Sequence, residues 1–290
     1  MITTARKRLP EWLWRTLPAR SAERTHEILG RYALNTVCES AKCPNRSECY
    51  SHRTATFMIL GNRCTRRCGF CAVPTGRGEA VAGDEPERVA RAARELGLHY
   101  IVVTSVARDD LRDEGAGHFA RTIRALRREI RNAGVEVLTP DFHGRRELIE
   151  TVLAAGPQVY NHNLETVERL QREVRPQANY ERSLGVLRTA KAVNPSVLTK
   201  SGLMLGLGEE RDEVMRAARD LRGAGCDILT LGQYLQPSPE FTEVKEYISP
   251  DVFRSLAEEL KPLGFREVFA GPYVRSSYHA GETFLNAASL

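Results

Sequence analysis

Six of the seven cysteines stand in two triplets: Cys38, Cys43 and Cys49, spaced C-x4-C-x5-C, and Cys64, Cys68 and Cys71, spaced C-x3-C-x2-C. Thiolates are soft ligands for iron and zinc, and a structural zinc closes with four protein ligands. Three thiolates instead hold three irons of a [4Fe–4S] cube and leave the fourth corner to another group. A zinc knuckle at the second triplet would need His52 as its fourth ligand, but zinc ligand pairs use other spacings. Gly69 lets the backbone turn closely around a cube, and Arg63, Arg66 and Arg67 are placed to offset thiolate charge. Cys226 precedes an apolar run and reads as a core thiol.

These ligands need a scaffold. After residue 53 the chain alternates short apolar runs with amphipathic stretches. Strands are expected at 54–61, 99–106, 135–142, 158–164, 198–207 and 227–236, each rich in Val, Ile and Leu as buried parallel strands are. Helices are expected at 86–96, 118–132, 145–155, 181–193, 210–222 and 250–263, with Gly97, Gly134, Gly156, Gly223 and Gly264 at their C-terminal ends. Repeated strand–helix units with right-handed crossovers make an α/β fold. The six units predict a partial (β/α)6 TIM-like barrel, since eight would need more chain. Three parts follow: an extension at 1–53 carrying the first triplet, the barrel at 54–269, and a tail at 270–290. The second triplet lies just past the first barrel strand, on the face where barrel active sites collect.

C-x3-C-x2-C after a strand, with Phe70 before its last cysteine, resembles the radical S-adenosylmethionine superfamily. That resemblance implies that the open iron on Cys64, Cys68 and Cys71 binds the methionine moiety, and that reductive cleavage gives a radical able to take hydrogen from an unactivated carbon. It also gives meaning to polar residues at the strand ends. Thr104 and Ser105, followed by Arg108-Asp109-Asp110, stand where the superfamily binds the methionine amino group. Asn161, Asn163 and Glu165 are candidates for ribose hydroxyls, Lys200 for a carboxylate, and Gly206 and Gly208 for close approach of backbone to adenine. Ordinary structural roles compete at each: buried polar groups are paired for stability, and Gly206 and Gly208 also suit a turn before a helix.

The two triplets in this order resemble those of the lipoyl synthase family. So do the segments Glu11-Trp-Leu, Thr36-Val-Cys-Glu-Ser-Ala-Lys-Cys-Pro-Asn, Val159-Tyr-Asn-His-Asn-Leu-Glu-Thr, Lys200-Ser-Gly-Leu-Met-Leu-Gly-Leu-Gly-Glu and Gly271-Pro-x-x-Arg-Ser-Ser-Tyr-His-Ala. The resemblance implies two [4Fe–4S] clusters and S-adenosylmethionine as cofactors. It assigns Ser277 as fourth ligand of an auxiliary cluster on Cys38, Cys43 and Cys49. It implies sulfur insertion at carbons 6 and 8 of an octanoyl group on a lysine of a lipoyl carrier domain, with the auxiliary cluster as sulfur source. Its partners would be the carrier domains of 2-oxoacid dehydrogenase complexes, the glycine cleavage H protein and an electron donor of ferredoxin or flavodoxin type. Another radical enzyme with an auxiliary cluster is the nearest rival. A zinc-stapled interaction or RNA-binding module is the rival from another class.

Bulk properties narrow the field. A net charge of +5 over 290 residues is mild, and basic stripes with interleaved aromatics are missing, so no nucleic-acid partner is expected. No apolar run reaches the 18 residues of a membrane span. Residues 1–20 are basic without an apolar h-region, and Pro10, Glu11 and Pro18 interrupt any amphipathic transit helix. The expected location is therefore the cytoplasm, where thiols stay reduced and serve as metal ligands.

Overall fold

The computed structural model of the chain describes residues 8–14 and 22–289. Most of the N-terminal stretch read above for a targeting signal lies outside them. No helix among the described residues is long and apolar enough to cross a membrane.

One eight-stranded sheet organises the chain, its strands adjacent in sequence order. They are β1 (Asn35–Thr36), β2 (Thr56–Ile59), β3 (Tyr100–Ser105), β4 (Gly134–Leu138), β5 (Val159–Asn161), β6 (Leu198–Leu205), β7 (Ile228–Gln233) and β8 (Glu267–Gly271). Strands β2 to β8 run parallel, β1 pairs antiparallel with β2, and β8 pairs only with β7, so the sheet stays open, as a partial barrel. The six expected strands are present. The two not foreseen are the two-residue β1, too short to show a period, and the half-buried β8, whose only large apolar residues are Val268 and Phe269, one on each face.

The helices between the strands are α4 (Glu85–Leu96), α5 (Ala116–Glu129), α6 (Arg146–Leu153), the single-turn α7 (Gln171–Val174), α8 (Tyr180–Val193), α9 (Arg211–Gly223) and α10 (Pro250–Leu260). Ser249 and Asn179 cap α10 and α8 by accepting from Val252 N and Arg182 N. Gly97 ends α4 in the left-handed region, as expected, whereas Gly134 begins β4 and Gly223 closes the last turn of α9. The left-handed turns there fall to Asn132 and Gly225.

Side chains alternate across the parallel strands. Ile101, Val103, Val135, Val137 and Tyr160 face outward into the core shared with α4, α5 and α6. The inward positions change character with depth. At the base, Val159, Leu198 and Ile228 pack against the C-terminal helix α11 (Ala280–Ala288). At the mouth, Thr104, Leu138, Gly202, Thr230 and Gly232 line an open cavity. The N-terminal part, α1 (Glu23–Arg31), α2 (Val37–Ser40) and α3 (Arg46–Ser51), packs onto β2 and α4 through Ile28, Leu29, Leu34 and Tyr50.

Candidate functional site

The cavity holds about 490 Å³ and is bordered by all six triplet cysteines together with Ser277. None of the seven cysteines of the chain is in a disulfide. Burial pushes the thiols of Cys38 and Cys68 up to about 11 and that of Cys71 up to about 12. Those groups are protonated at neutral pH, so a metal that takes them must displace protons.

The loop after β2 carries Cys64, Cys68 and Cys71. It folds back on itself through Cys64 N to Pro74 O and Gly76 N to Cys64 O, each 2.9 Å. Gly69 is packed against Thr242: a Cβ there would lie 2.4 Å from Thr242 Oγ1, and Thr242 N donates to Gly69 O at 2.8 Å. The Cys64 sulfur accepts from two backbone N–H groups, Arg66 N at 3.4 Å and Ala107 N at 3.3 Å.

Arg66 lines the cavity and its charge favours the Cys68 thiolate, as expected, but it is shared with two carboxylates. Its guanidinium is buried in ion pairs with Asp109 and Asp141, both at 2.7 Å, which hold both carboxyls below the ordinary carboxylate range against the cost of burial. Arg63 and Arg67 are exposed and do not line the cavity. A second cation that lines it and acts on Cys68 is Arg175, buried and donating to Leu164 O at 2.9 Å. Nothing in its sequence context marked it. His52, the alternative zinc ligand, is exposed just past α3 and away from the cavity. Cys226 is fully buried in the core, as expected.

Of the candidate cofactor residues, Thr104, Ser105, Asn163 and Glu165 line the cavity. Ser105 Oγ and Asn163 Oδ1 are buried without a hydrogen-bond partner, as polar atoms awaiting a ligand are. Glu165 holds a left-handed backbone conformation, and burial keeps its carboxyl above the ordinary range despite Arg175, Asn163 and Arg275.

The other four lie elsewhere. Asn161 and Lys200 sit one layer below the cavity floor. Lys200 Nζ pairs with Glu136 Oε1 at 3.0 Å, and Asn161 Nδ2 donates to the same oxygen at 2.9 Å. Tyr100 Oη donates to Glu136 Oε2 at 2.9 Å. The Glu136 carboxylate thus takes the Lys200 ammonium and the Asn161 amide N–H, while Asn161 Oδ1 is buried without a hydrogen-bond partner. Gly206 and Gly208 form a closed turn. The Glu209 carboxylate accepts from Gly206 N at 2.6 Å and Leu207 N at 2.9 Å, and a Cβ on Gly206 would meet Glu246 O at 2.3 Å. Neither glycine borders the cavity, and the turn role stands for both.

The first triplet and the tail meet across the mouth. Cys38 lies in α2, Cys43 in the following loop and Cys49 in α3. Asn45, between two of these cysteines, donates to Tyr273 O at 2.7 Å, and Tyr278 Oη donates to Glu48 Oε1 at 2.9 Å. Tyr273 Oη reaches Leu13 O at 2.6 Å. Asn163 donates to Ser276 Oγ at 2.5 Å. Ser276 and Ser277 both border the cavity, and of the two Ser276 is held by the barrel through Asn163. Asn45 closes the Thr36–Asn45 segment quoted above but had no assigned part, and Glu48 went unnoticed; both lie between Cys43 and Cys49.

Three thiols at each side of the cavity, orphaned polar atoms between them and the Ser277 hydroxyl fit two iron–sulfur clusters and a polar small cofactor. Comparisons with known proteins agree. Residues 58–221 match the model of the Radical SAM superfamily. The chain is 53% identical over 273 residues to a lipoyl synthase of Caldanaerobacter subterraneus, covering 94% of this chain and 96% of the relative. It is 52% identical over 280 residues to lipoyl synthase 2 of Gloeobacter violaceus, covering 96% and 97%. Among solved structures it shares its fold with methylornithine synthase, at TM-score 0.59 and 13% identity over 87% of this chain and 75% of the other. It also resembles Streptococcus suis SuiB bound to S-adenosylmethionine, at TM-score 0.55 and 12% identity over 75% and 50%. The chain belongs to the lipoyl synthase family of radical SAM enzymes.

Proposed function

We propose that the chain inserts two sulfur atoms, at C6 and C8, into an octanoyl group attached to a lysine of a lipoyl carrier domain. The observation that carries this is the convergence of both cysteine triplets and Ser277 on one cavity. When bound, S-adenosylmethionine with the cluster on Cys64, Cys68 and Cys71 supplies a hydrogen-abstracting radical, and the cluster on Cys38, Cys43, Cys49 and Ser277 supplies sulfide. Saturated carbons have no acidic proton, so general acids and bases alone cannot activate them.

The protein binds and orients. Thr104, Ser105, Asn163 and Glu165 offer the polar contacts for the cofactor. Val37, Met58, Leu138, Met204 and Leu235 give the cavity apolar walls that exclude water and accept an alkyl chain. A serine oxygen is a hard ligand for iron, so Ser277 would be the weakest of the four residues holding the auxiliary cluster. Ser277 rather than Ser276 takes this part because Ser276 is already held by Asn163.

The division of labour runs along the chain: 1–53 with 270–290 hold the sulfur source, and 54–269 hold the radical site. The partners are octanoylated carrier domains of 2-oxoacid dehydrogenase complexes and the glycine cleavage H protein, with a ferredoxin or flavodoxin donor, in the cytoplasm.

The test is anaerobic cluster reconstitution followed by mass spectrometry of an octanoylated carrier-domain peptide with S-adenosylmethionine and a reductant. A mass gain of two sulfurs for two hydrogens is expected. 5′-Deoxyadenosine formation with an unaltered peptide refutes the proposal.

A further inference from the structure

Asn163 lies two residues past the end of β5, with only 7% of its surface exposed. Its amide nitrogen donates twice, to Glu165 Oε1 at 3.0 Å and to Ser276 Oγ at 2.5 Å. An amide nitrogen has two N–H groups, so both are used. Gly202 beside it has no room for a side chain: a Cβ would lie 2.6 Å from Thr230 Oγ1, 3.2 Å from Asn163 Oδ1 and 3.3 Å from Ser276 Oγ. The amide is therefore confined from below, bonded on one side to a candidate cofactor ligand and on the other to the residue next to Ser277.

We infer that Asn163 is a positioning residue that couples the two ends of the cavity. By holding Ser276 it presents Ser277 to the Cys38 triplet, and by sharing the same amide with Glu165 it makes that hold depend on S-adenosylmethionine. Rotation of the amide breaks both hydrogen bonds at once. A ligand that bonds Asn163 Oδ1 or Glu165 resists that rotation and so tightens the grip on Ser276. Coupling of two binding events is reciprocal, so capture of Ser277 by the auxiliary cluster changes cofactor affinity by the same factor. The inference rests on the proposed parts of Ser277 and Glu165.

The experiment uses reconstituted holoenzyme. Iron release from the auxiliary cluster to a ferrous chelator is resolved from the other cluster by Mössbauer spectroscopy, with and without S-adenosylmethionine. Cofactor affinity is measured by equilibrium dialysis. In the native protein the cofactor slows auxiliary release. Ser276→Ala speeds release roughly three- to tenfold, the worth of one neutral hydrogen bond, and abolishes its cofactor dependence. Ser276→Thr keeps the accepting hydroxyl and restores both. Asn163→Leu keeps the approximate shape, removes both N–H donors and behaves as Ser276→Ala. Cofactor-independent release in the native protein, or a Ser276→Ala protein with native rate and dependence, overturns the inference. Ser277→Ala separates the two levels. If it leaves release and the Mössbauer spectrum unchanged, the ligand assignment itself fails. If it speeds release while Ser276→Ala does not, only the positioning fails.

Discussion

Gly232 gives the sharpest steric test of how the tail is seated. It lies in β7 opposite Gly271 of β8, with the tail passing directly over it. A Cβ at this position would stand 2.0 Å from Val274 O, 3.0 Å from Val274 C and 3.1 Å from Arg275 Nη1. The first two atoms are backbone, so no side-chain rotation relieves the clash. To regain an ordinary contact of 3.4 Å the Val274 carbonyl must withdraw by roughly 1.4 Å, and overpacking of this kind costs about 1–3 kcal/mol. That carbonyl accepts from Arg275 Nη1 at 2.6 Å, and Ser277 follows three residues later, so the displacement is passed to the serine. A misplacement of about 1 Å at a reacting group lowers turnover by about 10²-fold. Gly232→Ala should therefore unfold at lower denaturant, carry a full cluster on the Cys64 triplet but a labile auxiliary cluster, and lose most sulfur insertion. Gly185→Ala in α8, where a Cβ meets nothing within 4 Å, is the control and should gain about 0.5–1 kcal/mol. Urea unfolding, iron per chain and product mass measure these effects. A Gly232→Ala protein with native stability, native auxiliary iron and native turnover would refute the seating of the tail described here.

Asn45→Ala removes the 2.7 Å bond to Tyr273 O, a loss of about 0.5–1.5 kcal/mol, and should raise amide hydrogen exchange across residues 272–279; unchanged exchange would remove Asn45 from the tail anchor. Lys200→Met leaves the Glu136 carboxylate buried without its cation and should cost about 3–5 kcal/mol in urea unfolding while leaving S-adenosylmethionine affinity intact. Native stability with weakened cofactor binding would return Lys200 to the cofactor site. In metal-free protein the raised thiols of Cys38, Cys68 and Cys71 favour the protonated folded state. Their contribution is present below the ordinary thiol value of 9.0 and is lost as pH rises through about 11 to 12. Thermal unfolding midpoints should fall over that window and flatten in a Cys38→Ser, Cys68→Ser, Cys71→Ser protein; a native slope in that variant would assign the effect to other groups.

Most of the scaffold was legible because its signals are local. Six parallel strands announce themselves as short apolar runs, and α4 as an amphipathic stretch whose C-terminal end carries Gly97. β8 escaped because Glu267–Gly271 is only half-buried and lacks the apolar density of a central strand. At the site, cysteine spacing was enough to group each triplet. Polar residues at strand ends were harder, because a strand reveals which face a side chain takes but not its depth in the barrel. Asn161 and Asn163 show the difference: two residues separate a group bound to Glu136 beneath the floor from one that borders the cavity.

By itself the sequence determined the ligand chemistry. Thiolate type and spacing select iron–sulfur clusters, and a triplet placed after a strand reaches the mouth of the barrel, because both depend only on residues close along the chain. Tertiary structure alone decided what completes those sites. It brought the tail over the mouth, anchored by Asn45, Glu48 and Asn163, so that Ser276 and Ser277 both border the cavity and Ser276 is engaged by Asn163. It withdrew Lys200 into an ion pair and committed Arg66 to Asp109 and Asp141. These outcomes rest on contacts between residues up to 230 positions apart, where competition among buried partners for each donor and acceptor, not local pattern, sets which group is left for chemistry. The two cysteine triplets, similar on the page of the sequence, become distinct only there: one beside orphaned polar atoms of the barrel, the other beneath a latched serine tail.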